Sequence, residues 1–254
     1  MGKAEKFYLS FSRISTYIKC PQRYKYIYVD NLPTLEKGYF SFGNSIHKVL
    51  EIFYDPELNF KNVGRPPYEY LMELLESHWI DSGYGSTEEM KRAKEEARRI
   101  LTLYYRESIF GFKPAYLVEK DFSINVGDFE VKGRIDRIDE RNGSYAVIDY
   151  KTNSILPTLF REEEVLQPAI YTMAAYSILD VSTLDSVSLH FLRFNKRVNF
   201  SLSPLYIEKS KSRINNIGNL ILHEKFEATV NGGCSGCDFN SLCPAYKDFK
   251  RRRL

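Results

Sequence analysis

The chain has 254 residues, 43% of them hydrophobic, so it is long enough to bury a core within one domain. Its 36 basic and 33 acidic residues leave a formal charge of +3, a balance that does not by itself indicate a polyanionic partner. The N-terminus lacks the apolar segment of a secretion signal, and no run of about 18 uncharged apolar residues occurs. These features exclude a typical membrane-spanning helix and predict a cytoplasmic protein.

Helical periodicity divides the first part of the chain, residues 1–111, into helices. A first helix, capped by Ser10 or Ser12, is expected to break at Cys20-Pro21, because proline removes a backbone donor and disfavours helix in the residue before it. This part is therefore predicted to be mainly helical. Further helices are predicted over residues 42–54, 68–80 and 87–109.

The residue pattern changes to strands over the second part of the chain, residues 112–203. Gly127 and Asn142-Gly143 are turn signals between apolar or alternating runs, which predicts a three-strand meander. We expect one domain over residues 1–254, with helices packed on a central mixed sheet and a helix with a Cys-rich loop over residues 204–254. The strands are predicted over residues 115–126, 129–139 and 144–151, followed by a helix over 162–179, a hairpin-like pair over 186–202 and a helix over 204–226.

Two carboxylates and a lysine lie on neighbouring predicted strands. Side chains two apart on a strand project to the same face, so Asp149 and Lys151 emerge together while Tyr150 points away. A hairpin pairing of the two strands brings Asp136 to the same space. Such a set suits phosphodiester hydrolysis, because carboxylates hold a divalent cation and an ammonium stabilises developing negative charge. The alternative is a cross-strand salt bridge that protects a sheet edge.

A histidine on the helix predicted over residues 42–54 is a further candidate ligand. Gly43, His47 and Leu50 fall close together on one face of this helix. A neutral imidazole can complete the coordination shell of manganese or magnesium. The alternative for a lone helical histidine is a structural role.

The four cysteines lie near the two ends of the chain. Cys234, Cys237 and Cys243 fall in the C-terminal segment, and Cys20 stands at the predicted helix break. Two disulfides are one interpretation, but disulfides seldom persist in a cytosolic chain, so a metal site is preferred. Zinc and an iron-sulfur cluster both take four thiolates.

The order and combination of these motifs resemble the RecB-like nucleases of the PD-(D/E)XK superfamily over most of the chain. The resemblance implies a restriction-endonuclease-like α/β fold, magnesium or manganese as cofactor, and DNA nuclease activity in repair or recombination. It is carried by residues 10–12 with Tyr17, residues 20–24, 43–51, 133–138 and 148–152, and Gln167 with Tyr171.

The resemblance also implies roles for individual residues in the acidic set. His47, Asp136 and Asp149 would bind the metal, and the backbone carbonyl of Tyr150 would be a further ligand. Asp136, Asp149 and Lys151 would form the catalytic set, with Lys151 as the catalytic lysine.

Three further residues match positions of the family near the active site. Gln167 and Tyr171, one helical turn apart, would face the site and contact DNA or position the scissile phosphate. The alternative for Tyr171 is core packing. Glu119 matches an acidic residue on the first strand of the family, and it would either bind the metal directly or interact with one of the metal ligands.

The cysteine spacing resembles the iron-sulfur staple of a subset of these nucleases, including the bacterial AddB subunit and the CRISPR-associated RecB-like nuclease. In that subset one cysteine precedes the nuclease core and three follow it, which favours a [4Fe-4S] cluster over zinc at Cys20, Cys234, Cys237 and Cys243. The cluster would clamp the N-terminal helices to the C-terminal loop and remove unfolded-state entropy.

The resulting functional hypothesis is an exonuclease that acts on single-stranded DNA or DNA ends. Phe239, Tyr246, Lys247 and Arg251 are candidates for stacking bases and tracking phosphates. The sequence has no phosphate-loop motif, so a helicase would have to be another chain. The alternatives are a CRISPR-adaptation nuclease with adaptation proteins as partners, a weakly active DNA-binding assembly subunit, and a zinc-stabilised interaction protein.

Overall fold

The structure is a computed structural model that describes residues 7–57, 65–108, 111–158, 160 and 162–252. The predicted helix break is confirmed: α1 (Phe11–Lys19) ends before Cys20, and α2 (Pro21–Tyr28) begins at the proline. Ser10 caps α1 and accepts a hydrogen bond from the Arg13 amide at 3.2 Å. Pro21 suits the first helical position because the amide it lacks would have no partner there.

Three longer helices follow, and the first of them begins earlier than predicted. They are α3 (Gly38–Phe53), α4 (Tyr68–Ser77) and α5 (Thr87–Ser108). The side chain of Lys37 makes no capping hydrogen bond, so packing selects the start of α3. A Cβ at Gly38 would collide with the Tyr84 ring, which lies directly against this turn. The predicted end of α5 at residue 109 lies outside the described residues.

Five strands form one mixed sheet in the order β1-β2-β3-β4-β5, which confirms the predicted α/β class. The first three form the predicted antiparallel meander, α6 (Glu162–Leu179) crosses over, and β4 pairs parallel to β3. A short 3-10 turn then joins β4 to the antiparallel β5. The strands are β1 (Leu117–Val126), β2 (Phe129–Arg141), β3 (Ser144–Lys151), β4 (Ser186–Phe191) and β5 (Lys196–Phe200).

Two hydrophobic cores cover different parts of the sheet. One holds residues of α1, α2, α6 and α7 against Val131, Ile135 and Val147. The other packs α3, α4 and α5 against Ile148 and Tyr150. Because adjacent residues of β3 point in opposite directions, Asp149 faces the side of α6 whereas Tyr150 faces the helices α3 to α5. The first half of the chain therefore packs on a sheet supplied by the second half.

The C-terminal part contains one helix that the sequence interpretation missed. The helix α7 (Pro204–Leu222) was predicted, but α8 (Pro244–Arg251) falls in a segment interpreted as loop-like, so that expectation was wrong. Pro244 occupies the first turn of α8, where a missing amide costs nothing. None of the helices in the described ranges has the length and apolar character needed to cross a membrane.

Candidate active site

The β2-β3 hairpin places Asp136 and Asp149 next to each other. Arg137 pairs with Ile148, so the next position along the two strands brings the two aspartates opposite each other. Both are buried, and Asp136 Oδ2 accepts a hydrogen bond of 2.7 Å from the backbone amide of Tyr150. The strand pairing thus fixes the position of one carboxylate directly.

Asp149 is held by three side chains from β3 and α6. Lys151 Nζ lies 2.6 Å from Asp149 Oδ2, while Oδ1 accepts hydrogen bonds from Tyr171 at 2.8 Å and from Gln167 at 3.2 Å. Gln167 also accepts a hydrogen bond of 2.7 Å from Lys151 through its own carbonyl oxygen. One amide therefore orients the lysine and the carboxylate together.

Gln167 and Tyr171 lie one turn apart on α6 and interact with each other. The Gln167 amide donates a hydrogen bond of 2.9 Å to the Tyr171 hydroxyl. Burial, followed by the charge of Asp149, raises the pKa of Tyr171 well above its ordinary value, so the phenol keeps its proton and remains a donor to Asp149. Both side chains are buried at the inner wall of the site.

A second group of ligands faces Asp136 from α3 and β1. His47 Nδ1 lies 3.4 Å from Asp136 Oδ2, and single ligand atoms of His47, Glu119 and Asp136 all fall within 4.8 Å of one another. Glu119 stands opposite Asp136 in the β1-β2 register, with its backbone in the left-handed region at φ 44°. Such a conformation is uncommon outside glycine, and β1 adopts it at the residue that faces the carboxylate pair.

Charges at this second group shift the pKa values of its members. Burial opposes protonation of His47, but Asp136, through its charge and hydrogen bond, outweighs burial and raises the pKa of His47 to about 9. Burial and then Asp136 raise the pKa of Glu119 to about 7. Burial also raises the pKa of Asp149, against the opposing effect of Lys151. The site therefore concentrates negative charge that an opposite charge would stabilise.

The donor set fits a divalent cation. Carboxylate oxygens and one imidazole are ligands that magnesium and manganese accept. Asp149 Oδ2 is buried, and among the described residues no donor reaches it with hydrogen-bond geometry, although the Lys151 ammonium is in ion-pair contact. A buried carboxylate oxygen that is held by an ion pair can also serve as a ligand for a cation.

Asp139, a second buried acidic residue of β2, belongs to a different network. Asp139 binds Arg137 through two hydrogen bonds of 2.6 and 2.7 Å, and the Arg137 guanidinium lies 3.4 Å from the centre of the Tyr54 ring. Arg137 also donates to the hydroxyl of Tyr150 at 3.2 Å. This buried ion pair supports the strand from the side of α3 to α5.

All four cysteines line one cavity of about 480 Å³ between α1, α2 and the C-terminal segment. They are half-buried free thiols, and within the described part of the chain no three of their Sγ atoms lie within 4.8 Å of one another. The Asn231 amide donates to Cys234 Sγ at 3.3 Å, and the Asn231 side chain donates to the Lys19 carbonyl beside Cys20. The fold thus brings the N-terminal cysteine to the other three without a direct ligand cluster.

Two further contacts tie the C-terminal segment to the helices. The Phe239 ring lies 5.2 Å from the Tyr26 ring of α2, and Lys37 forms an ion pair of 2.6 Å with Asp238. Phe239 is only 3% exposed, so the expectation that its ring stacks DNA bases was wrong. Packing against α2 accounts for its burial.

The chain belongs to the PD-(D/E)XK nuclease superfamily, whose family model matches residues 8–244. The restriction-endonuclease-like α/β fold is thereby confirmed. No curated protein has a matching sequence.

Two solved structures resemble the chain over nearly its whole length. A protein from Eubacterium rectale described as a candidate exonuclease aligns with a TM-score of 0.55 and 12% identity, covering 98% of this chain and 93% of that one. The protein SSO0001 aligns with a TM-score of 0.44 and 16% identity, covering 96% and 89%. At 12% identity, the likeness to the Eubacterium rectale protein concerns the fold.

Proposed function

We propose that this chain is a metal-dependent deoxyribonuclease that hydrolyses phosphodiester bonds with Asp136, Asp149 and Lys151. The observation that carries the proposal is the meeting of these three side chains at the β2-β3 hairpin, with the Lys151 ammonium 2.6 Å from a buried oxygen of Asp149. Membership of a nuclease superfamily supports the same chemistry.

His47, Asp136, Asp149 and the Tyr150 carbonyl would hold magnesium or manganese, with Glu119 as a further ligand on the side of β1. A bound divalent cation polarises the phosphate and lowers the pKa of a water molecule. The protein's own part is to fix its oxygen and nitrogen ligands, which the Tyr150 amide does for Asp136.

Lys151 supplies a positive charge beside the reacting phosphate. Its ammonium is oriented by Gln167 and Asp149, so it would stabilise the negative charge that develops on the phosphate oxygens without reorganising. Gln167 and Tyr171 act as positioning residues for Asp149 and Lys151. Their burial favours this role over a broad contact with DNA.

The substrate we propose is single-stranded DNA or a DNA end, cut as an exonuclease in repair or recombination. The likeness in fold to the protein described as a candidate exonuclease supports the exonuclease part of this proposal. Helicase or CRISPR-adaptation proteins are the partners that fit the family resemblance, and the cytoplasm is the compartment that fits free thiols.

A [4Fe-4S] cluster on Cys20, Cys234, Cys237 and Cys243 is the occupant we propose for the cysteine cavity, with zinc as the alternative. The shared cavity and the amide donor to Cys234 Sγ support a thiolate-bound group, because such sulfurs commonly accept amide hydrogen bonds. Its role would be structural. Anaerobically purified protein should be brown; a colourless protein with stoichiometric zinc would refute the cluster.

The nuclease proposal is tested by cleavage of labelled single- and double-stranded DNA with manganese or magnesium. Wild type should cleave, and Asp149→Ala and Lys151→Ala should each lose at least about 10²-fold in rate, since each removes charge stabilisation. Lys211→Ala and Glu208→Ala are matched controls, because these residues form an exposed ion pair on α7. Equal cleavage by the site variants and the controls would refute the proposal.

A further inference from the structure

Two aromatic side chains stand exposed on the first turn of α3. Tyr39 is 60% exposed and Phe40 is 57% exposed, and their ring centres lie 4.4 Å apart at 46°. By contrast, Phe42 and Phe53, further along the same helix, are buried in the second core. Contiguous exposed apolar groups commonly mark an interaction site, so the pair is a candidate interaction surface.

The position of this pair on α3 relates it directly to the active site. Phe40 precedes His47 by seven residues, or two helical turns, so the two lie on the same face within about 20° and about 10 Å apart along the axis. Gly43 lies between them, and a Cβ there would stand 3.2 Å from Thr152 Oγ1, next to Lys151. The aromatic surface is therefore continuous with the catalytic site.

On this side of α3, the residues between the pair and His47 include two that are small or polar. Gly43 has no side chain, and Asn44 is an exposed amide that can bond to a phosphate or a base edge. An aromatic face followed by a polar stretch matches the alternation of base and phosphate along a nucleic-acid strand. Every base has a π-face, so such a surface accepts any base that is not already stacked in a duplex.

We infer that Phe40, with Tyr39 beside it, is the stacking platform for an unpaired base of the strand that enters the active site. The inference rests on the proposed nuclease function and makes the substrate single-stranded DNA or a frayed end. A duplex would present its backbone and groove edges to this surface, because its base faces are covered by neighbouring base pairs.

Binding in the presence of a chelator tests this inference separately from catalysis. The probes are a fluorescent oligothymidylate and the same deoxyribose-phosphate backbone without bases. Phe40→Ala should weaken oligothymidylate binding by about 5- to 150-fold, the equivalent of ~1–3 kcal/mol for one stacked base. Binding of the abasic strand should be unchanged. Phe40→Trp should restore discrimination between the strands, whereas Phe40→Leu should not.

Leu205→Ala is the matched control, because Leu205 is also an exposed apolar side chain, on α7. The inference is overturned if Phe40→Ala binds oligothymidylate like wild type, or if it loses both strands equally. If wild type cleaves in a manner that depends on Asp149 while Phe40→Ala binds normally, the stacking platform fails and the nuclease function stands. If oligothymidylate binding depends on Phe40 but no metal supports cleavage, the nuclease proposal fails instead.

Discussion

The acidic pocket and the cysteine cavity hold two sets of candidate metal ligands, and they are built in different ways. In the pocket, the Tyr150 amide, Tyr171 and Gln167 fix the two aspartates by hydrogen bonds within the protein. In the cavity, four half-buried thiols surround about 480 Å³ with one amide donor to a sulfur. Hydrogen bonds therefore fix individual carboxylate atoms in the pocket, whereas the cavity brings together distant parts of the chain.

The largest effect is expected for the rate of DNA cleavage after a substitution in the acidic pocket. Asp136→Ala should lower the rate by at least about 10³-fold, because it removes a ligand that His47 and the Tyr150 amide hold in place. Its melting temperature should change little, because the lost contacts with His47 and the Tyr150 amide are offset by relief of repulsion from Asp149 and Glu119. Electron paramagnetic resonance should detect the loss of bound manganese. A cleavage rate of Asp136→Ala within tenfold of wild type would contradict the proposed role of Asp136 as a metal ligand.

Substitutions in the cysteine cavity should lower stability and leave cleavage unchanged. Cys20→Ser should lower the free energy of unfolding by about 4 kcal/mol, because a group bridging Cys20 to Cys234 closes a loop of more than 200 residues. Cleavage per folded molecule at low temperature should be unchanged. Chemical denaturation of anaerobic samples measures the first quantity. If Cys20→Ser were inactive but as stable as wild type, the cysteine cavity would have a role in cleavage rather than in stability.

A smaller effect is expected from one hydroxyl inside the pocket. Tyr171→Phe removes the hydrogen bond to Asp149, and a hydrogen bond to a charged group contributes about 1.5–3 kcal/mol. We expect cleavage to slow by roughly 10- to 100-fold and manganese affinity to fall in parallel. Tyr68→Phe is the control, because its hydroxyl bonds Thr102 between α4 and α5. Equal rates for the two variants would show that Tyr171 only fills space.

The smallest effect is expected for thermal stability, after substitution of the ion pair between the acidic pocket and the cysteine cavity. Lys37 precedes the helix that carries His47, and it binds Asp238, whose side chain is only 6% exposed. Lys37→Met should destabilise the protein by about 1–3 kcal/mol, because it leaves a buried carboxylate without its partner. Adding Asp238→Asn should recover part of this loss in a double-mutant cycle of thermal unfolding. Additive losses would mean that the pair does not couple the regions.

Periodicity and turn signals predicted most of the fold. Apolar or alternating runs separated by turn signals located the meander, and Pro21 located the break between the first two helices. The start of α3 could not be predicted, because it depends on the Tyr84 ring packing against Gly38 rather than on a capping residue. The helix α8 had a signal in Pro244 at its first turn, but the neighbouring cysteines favoured a loop interpretation.

The candidate site was predictable where regular strand geometry applies. Alternation along β3 separates Asp149 and Lys151 from Tyr150, as the structure has them. The approach of Glu119 to His47 and Asp136 depends on a left-handed residue within β1, which no strand pattern predicts. Burial of Phe239 and exposure of Phe40 likewise depend on which helix each ring meets, a tertiary property.

The most direct test of the central claim is a metal titration of single-stranded DNA cleavage by wild type and Asp149→Ala. Wild type treated with a chelator should be inactive, and manganese should restore cleavage in a saturable manner. Asp149→Ala should remain inactive at every manganese concentration, because it lacks the carboxylate that we propose as a ligand of the cation. Cleavage by wild type in the presence of the chelator would contradict a metal-dependent reaction. Manganese-activated cleavage by Asp149→Ala would contradict the proposed role of Asp149 as a metal ligand.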